Sequence, residues 1–425
     1  MTSSLPQESR YRDVQRRTMI VLIIAQIIGT IGVGVAPSIG VLVAEEVTNS
    51  EAWSGLARTA STLGTALFGL VLGTIAAKHG RRMALSGGWW LAAAGSALLV
   101  AAAQWNQIVP LFVGLLFIGA GSAVSLQSRF AATDLAEPQQ KARSLALVVW
   151  VGTLGSVLGP NLGVPGEAVK SATGLSVFAS AFLIAAVCLA IAGVAVFIWL
   201  RPDPLLLLMA DTPVEIAPPK GRGSSRIRRT IAELQVNRPA RIAFIAIVSA
   251  QIVMVAVMTM TPVHVAHHGG SVTFIGLTIS LHVAGMYALA PVVGWTADRF
   301  GHRFTIGVGV AVFAVSLVIG ALRPDDMDWV VVSLILLGVG WSFVNVAGSA
   351  LFTAVVSSTT RAASQGGVDS LSNLCGATAA FIAGPLLAAS SYAFLSVVAM
   401  IALIPLLLLT LRGGFMGARE ELATE

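Results

Sequence analysis

Apolar runs of about 20 residues recur along the chain, separated by short polar stretches. A helix of that length rises about 30 Å, the thickness of a bilayer's hydrocarbon core. Six such runs are predicted at about 18–44, 53–77, 83–103, 108–135, 144–164 and 174–200. A polar segment rich in Pro, Gly and Arg follows at 201–241. Six more runs follow: a seventh ending near 266, an eighth entering near 274, then 304–322, 329–357, 367–390 and 392–411. The pattern predicts an all-α membrane protein of twelve transmembrane helices. Its organisation is an N-terminal six-helix bundle at 1–200, a cytoplasmic basic linker at 201–241 and a C-terminal six-helix bundle at 242–425.

Composition agrees with the pattern. Of 425 residues, 56% are hydrophobic and 11% charged, against about 25% charged in soluble domains. Cys188 and Cys375 both lie inside apolar runs and read as small buried hydrophobes, not as a disulfide framework. The first apolar run reads as the first spanning helix and not as a cleaved leader. With the N-terminus inside, only Arg58, Lys170 and Arg323 of the 26 Lys and Arg residues fall near the outer side. The positive-inside rule then places both termini and the linker in the cytoplasm of a multi-pass cell-membrane protein. The run Arg222 to Arg229 reads as a solvated topology signal, with contact to anionic lipid as the other reading.

The two halves repeat. Gly73 to Leu85 reads GTIAAKHGRRMAL, and Gly294 to Ile306 reads GWTADRFGHRFTI. Gly73, Gly80, Arg81 and Arg82 stand in the first loop, and Gly294, Asp298, Gly301 and Arg303 in the second. In this the chain resembles the major facilitator superfamily, whose loops between helices 2 and 3, and 8 and 9, carry such a motif. The resemblance implies two six-helix bundles that alternate access to a cavity. It implies an acidic contact at the cytoplasmic face. Asp298 fills the acidic place, and Ala77 stands there in the first half, so a charge latch is expected in the second half alone. The fifth run holds Gly155, Gly159, Pro160 and Gly163. This resembles a motif frequent in exporters and antiporters of the superfamily, and it reads equally as a small-residue packing seam with a proline kink. The fourth run has Leu115 where an antiporter of the superfamily carries arginine. Glu45, Glu46 and Asp134 lie at helix ends, which disfavours proton coupling through a buried acid.

Met254 and Met258 are spaced i,i+4 on the seventh run, and His282 and Met286 on the eighth. That spacing puts each pair on one helix face. Counting about 1.5 Å per residue from the outer ends, Met258 and His282 both lie roughly 12 Å deep, and Met254 and Met286 roughly 18 Å. Three thioethers and an imidazole form a soft, neutral donor set suited to Cu(I). Methionine is also an ordinary filler of apolar helices, whereas a histidine within the membrane marks a cavity or a partner. His264, His267 and His268 at the outer mouth extend the series as a possible metal entry path. These motifs resemble those of the CcoA-like bacterial copper importers, which implies copper as the substrate, carried inward. The alternative is a small organic molecule: riboflavin uptake, or efflux of hydrophobic drugs by proton antiport. No nucleophile–base pair or carboxylate–metal constellation points to an enzyme. No cofactor and no nucleic-acid partner is expected; the expected partners are the substrate and the lipid bilayer, and the expected state is a monomer.

Overall fold

The computed structural model describes residues 5–137, 140–211, 231–356 and 361–413. The basic run at 222–229 lies outside them. All regular structure among the described residues is helical. In chain order the helices are α1 (Leu5–Gly34), α2 (Val41–Thr48), α3 (Glu51–Trp105), α4 (Ile108–Ala131), α5 (Lys141–Leu158), α6 (Gly163–Thr173), α7 (Val177–Trp199) and α8 (Pro204–Asp211). There follow α9 (Arg238–His267), α10 (Val272–Tyr287), α11 (Ala290–Phe300), α12 (His302–Leu322), α13 (Met327–Val355), α14 (Arg361–Ala389) and α15 (Tyr392–Gly413).

Among the described residues, eleven helical stretches are long and apolar enough to cross a membrane. One of them, α3, has 55 residues, about 82 Å of helix at 1.5 Å per residue. No bilayer accommodates that as one span. Gly80 divides it, with φ 85° and ψ 173°, a backbone region open to glycine and closed to other residues. The two halves of α3 are therefore separate spans, and the total is twelve. Gly301, between α11 and α12, adopts nearly the same angles, φ 87° and ψ 153°. The repeated loop motif thus folds the same way in both halves.

Three predicted helices are interrupted where proline removes a backbone donor. The first passes through a π-helical turn at Ala36–Gly40, which contains Pro37. The fifth passes through a 3-10 turn at Gly159–Leu162, which contains Pro160, and continues as α6 to Thr173. The eighth is divided between α10 and α11, with Pro291 in the first turn of α11.

The chain forms two compact units. One comprises Met1–Ser50, Ala57–Lys220 and Ser271–Ser280; the other comprises Glu51–Leu56, Gly221–Gly270 and Leu281–Glu425. The first unit is centred on the indole of Trp89, packed with Leu22, Val124, Leu189 and Val196. The first turns of α10 belong to it, with Val272 against Gly163 and Gly276 against the Pro160 carbonyl. The second unit buries Phe313, Phe352 and Tyr392. It includes the tip of α3, where Gly55 rests on the Ala380 carbonyl and Gly384 on the backbone of Ala52. Lipid tails are as apolar as leucine, so such helices associate through close packing and not through exclusion of water. The chain's 43 glycines among 425 residues exceed the usual share of about 7%, and these contacts use them.

Candidate functional site

Helices α9 and α13 pack antiparallel in the second unit. Gly348 lies on Ile247 and Ala243, and the indole N–H of Trp341 donates to Gln251 Oε1 at 3.2 Å. From that pair, Met258 is seven residues along α9 and Leu334 seven residues along α13, both about 10.5 Å nearer the α9 C-terminus. His282 on α10 meets α13 at that same level. Its Nδ1 lies 2.7 Å from the Leu334 carbonyl oxygen, and its backbone and ring abut Gly338. The structure therefore places Met258 and His282 at a common height on helices that both pack against α13, with Met254 about 6 Å away along α9. All three are buried, as is Met286.

The partner of His282 fixes its tautomer. A carbonyl only accepts, so Nδ1 carries the proton and donates. Nε2 of the neutral ring is then a lone pair. That atom is buried and has no hydrogen-bond partner among the described residues.

The three histidines at the end of α9 are engaged with oxygen atoms. His264 Nε2 lies 2.6 Å from the Pro324 carbonyl, and its ring stacks on Tyr392 at 4.3 Å. Tyr392 hydroxyl in turn meets Thr261 Oγ1 at 3.1 Å. His268 Nδ1 lies 2.9 Å from the His264 carbonyl, and its Nε2 lies 3.2 Å from Asp325 Oδ1. His267 Nδ1 lies 3.4 Å from Glu51 Oε1 on the tip of α3. A ring nitrogen that donates to oxygen has no lone pair for a metal, and in a neutral ring the lone pair is then on the other nitrogen. Among the described residues, no three His, Cys, Asp or Glu side chains are arranged to hold a metal ion.

A charge contact at the loop motif is found in the first unit. Asp298 is exposed and makes no ion pair among the described residues. In the first unit Arg81 grips Asp134 with two parallel hydrogen bonds, Nε to Oδ2 at 2.8 Å and Nη2 to Oδ1 at 3.1 Å, and both side chains are largely buried. Asp203 reinforces the turn. Its Oδ2 accepts from the Arg82 backbone N–H at 2.7 Å, and its Oδ1 caps α8 through Leu205 and Leu206. Its carboxylate fills the space a Cβ on Gly80 would occupy, whereas Gly301 and Gly294 have nothing within 4 Å of that position. Ala77 leaves the first loop without an acid of its own, and Asp134 and Asp203 supply the charge from elsewhere in the chain. Arg303 is exposed. Gly73 is within reach of Gln127.

The motif in the fifth helix is a packing seam. A Cβ on Gly155 would overlap Thr30 and the Ile27 carbonyl, and one on Gly159 would lie 2.6 Å from Gly34 Cα. Pro160 turns the chain there, and Gly163 admits Val272. Just beyond Pro160, Asn161 Nδ2 donates to Ser280 Oγ at 2.6 Å, and Ser280 donates to the Val157 carbonyl at 2.5 Å.

Sequence reasoning missed an aromatic–amide cluster in the second unit. Besides its bond to Gln251, Trp341 meets Tyr287 edge-on at 5.8 Å. The available signal was a second internal repeat. Gln26 and Pro37 on the first run are spaced like Gln251 and Pro262 on the seventh, each glutamine following Ala and preceding Ile. In the first unit Gln26 Nε2 donates to Ser125 Oγ on α4, and its buried Oε1 has no partner among the described residues. In each unit a glutamine on the first helix thus reaches the fourth.

This architecture corresponds to a known family. The family model described as Major Facilitator Superfamily matches residues 18–269 and 242–420. The chain is 35% identical over 390 residues to the uncharacterized MFS-type transporter YddS of Bacillus subtilis (strain 168), covering 91% of this chain and 88% of that one. It is 29% identical over 399 residues to the riboflavin transporter RfnT of Brucella anthropi, covering 92% and 96%. A variant of the nucleoside transporter NupG shares the fold with a TM-score of 0.71 at 15% identity, covering 94% of this chain and 99% of that one. The chain belongs to the major facilitator superfamily. It is a multi-pass membrane protein and a secondary transporter.

Proposed function

We propose that this transporter carries a small organic solute with a flat, hydrogen-bonding ring system, riboflavin being the candidate, into the cell. The cluster of Trp341, Tyr287 and Gln251 carries the reading. Two aromatic side chains give a heteroaromatic ring surfaces to stack on. The amide beside them offers donors and an acceptor for polar ring edges. The similarity to a riboflavin transporter supports the same class. The bias of Lys and Arg supports cytoplasmic termini. Uptake of radiolabelled riboflavin by cells that depend on external riboflavin tests it. The parent should restore uptake, and Trp341→Ala at equal membrane abundance should lose most of it. Uptake at background level with the parent protein overturns the reading.

A second reading rests on His282. Its buried Nε2 lone pair, level with Met258, is suited to Cu(I), with Met254, Met258 and Met286 as the accompanying thioethers. Radiolabelled copper accumulation that depends on His282 would favour it over the organic solute.

A further inference from the structure

A cavity of about 500 Å³ opens on the first unit between the N-terminal part of α1 and the end of α7. Its lining is divided by chemistry. Asp13, Arg16 and Arg17 form one end, and the rest is apolar, with Ile20, Ile24 and Trp199 its most exposed side chains beside Val21 and Ala195. Ile20, Ile24 and Trp199 are 52%, 43% and 51% exposed. We infer that this cavity binds an anionic phospholipid, with its phosphate on Arg16 and Arg17 and an acyl chain along Ile20 and Ile24.

The order of residues matches the order of groups in a lipid. Arg16 and Arg17 stand immediately before the apolar run of the first helix, the level at which a bilayer presents its phosphates. Ile20 and Ile24 follow one and two turns deeper on α1. The indole of Trp199 belongs at the same boundary, where tryptophan is enriched. Arg17 is held in place: its Nε donates to the Trp199 carbonyl at 3.0 Å. This leaves its terminal nitrogens for a phosphate oxygen. Arg16 makes no hydrogen bond or ion pair among the described residues and is exposed. Asp13, one turn farther from the apolar run, opposes an anion. Its level is that of the head group beyond the phosphate, where a carboxylate accepts from hydroxyls. That favours a head group such as glycerol over a bare phosphate. The positive field extends around α7, because Arg82 and Arg201 lie over the Phe197 ring at 5.0 and 5.7 Å.

The test is native mass spectrometry of the full-length purified transporter with phosphatidylglycerol, phosphatidylcholine and inorganic phosphate added separately. Phosphatidylglycerol should be retained in preference to phosphatidylcholine. Arg16→Ala should weaken its retention about fivefold, the effect of one cation near an anionic surface. Ile24→Trp fills the apolar limb and leaves every charge in place; it should weaken retention as well. Arg12→Ala lies outside the cavity and should change nothing. Equal retention of both lipids overturns the inference, as does unchanged retention in Arg16→Ala. Displacement of the lipid by millimolar inorganic phosphate, with Ile24→Trp behaving as the parent, makes the cavity a site for small anions and also overturns it.

Discussion

The imidazole of His282 donates through Nδ1 to the carbonyl oxygen of Leu334 at 2.7 Å, and its other nitrogen lies buried without a partner. One nitrogen positions the ring and the other is left for a ligand. His282→Asn separates the two roles, because an asparagine amide donates to a carbonyl and offers no imidazole lone pair. Under the copper reading it should abolish copper accumulation at unchanged membrane abundance. Under the organic-solute reading riboflavin uptake should stay within about twofold of the parent. Uptake of the two labelled substrates, measured side by side, decides.

The bond between Trp341 and Gln251 sets a second expectation. Trp341→Phe keeps a stacking ring and removes the N–H that Gln251 Oε1 accepts. A neutral hydrogen bond contributes about 0.5–1.5 kcal/mol, so the apparent KM for riboflavin should rise about two- to tenfold with little change in maximal rate. Trp341→Ala removes the ring itself and should cost more than Trp341→Phe. Equal uptake in both variants and the parent would detach this cluster from the substrate.

The loop motifs differ in charge, and so should their variants. Arg81→Ala leaves the largely buried carboxylate of Asp134 without its partner, a change that costs about 3–5 kcal/mol in buried pairs. Asp298→Asn alters an exposed side chain and should fall within about 0.5 kcal/mol of the parent. Thermal unfolding of the detergent-solubilised proteins compares them. The double variant Arg81→Asp with Asp134→Arg should recover part of the loss, as expected of residues in one ion pair.

Small residues along the fifth helix set the approach of α1 and α5. Gly155→Val and Gly159→Leu each drive a side chain into backbone or Thr30 and should destabilise by about 1–3 kcal/mol. Gly174→Ala, at a helix end with nothing near its missing Cβ, tests a different cost, the strain of φ 75° alone. It should destabilise by about 1 kcal/mol. Loss of folded protein on gel filtration reports the first pair, and a lowered Tm reports the third.

The sequence by itself determined the class of this protein. Hydrocarbon demands runs of about 20 apolar residues with their backbone bonds closed internally, so the number of spans is written in hydropathy. The loop glycines were legible for a local reason: Gly80 and Gly301 occupy φ values that other residues avoid, and their spacing from the arginines repeats. The glycines of helix 5 were visible with two readings open, and the structure packs Gly155 and Gly159 against the backbone of α1, an approach that only glycine admits. Tertiary structure decided what depends on contacts between distant segments. The acid that pairs with Arg81 is Asp134, 53 residues along the chain, and no loop pattern announces it. Proline at 37, 160 and 291 was visible, but whether it bends a helix or divides it depends on which neighbouring groups replace the lost bond. The Met and His spacings put each pair on one face, and the structure added that α9 and α10 meet the same stretch of α13. Only the fold could show that one nitrogen of His282 is taken by Leu334 and the other is not. Hydrogen-bond partners across helices follow from packing, and packing is not a property of any one stretch of sequence.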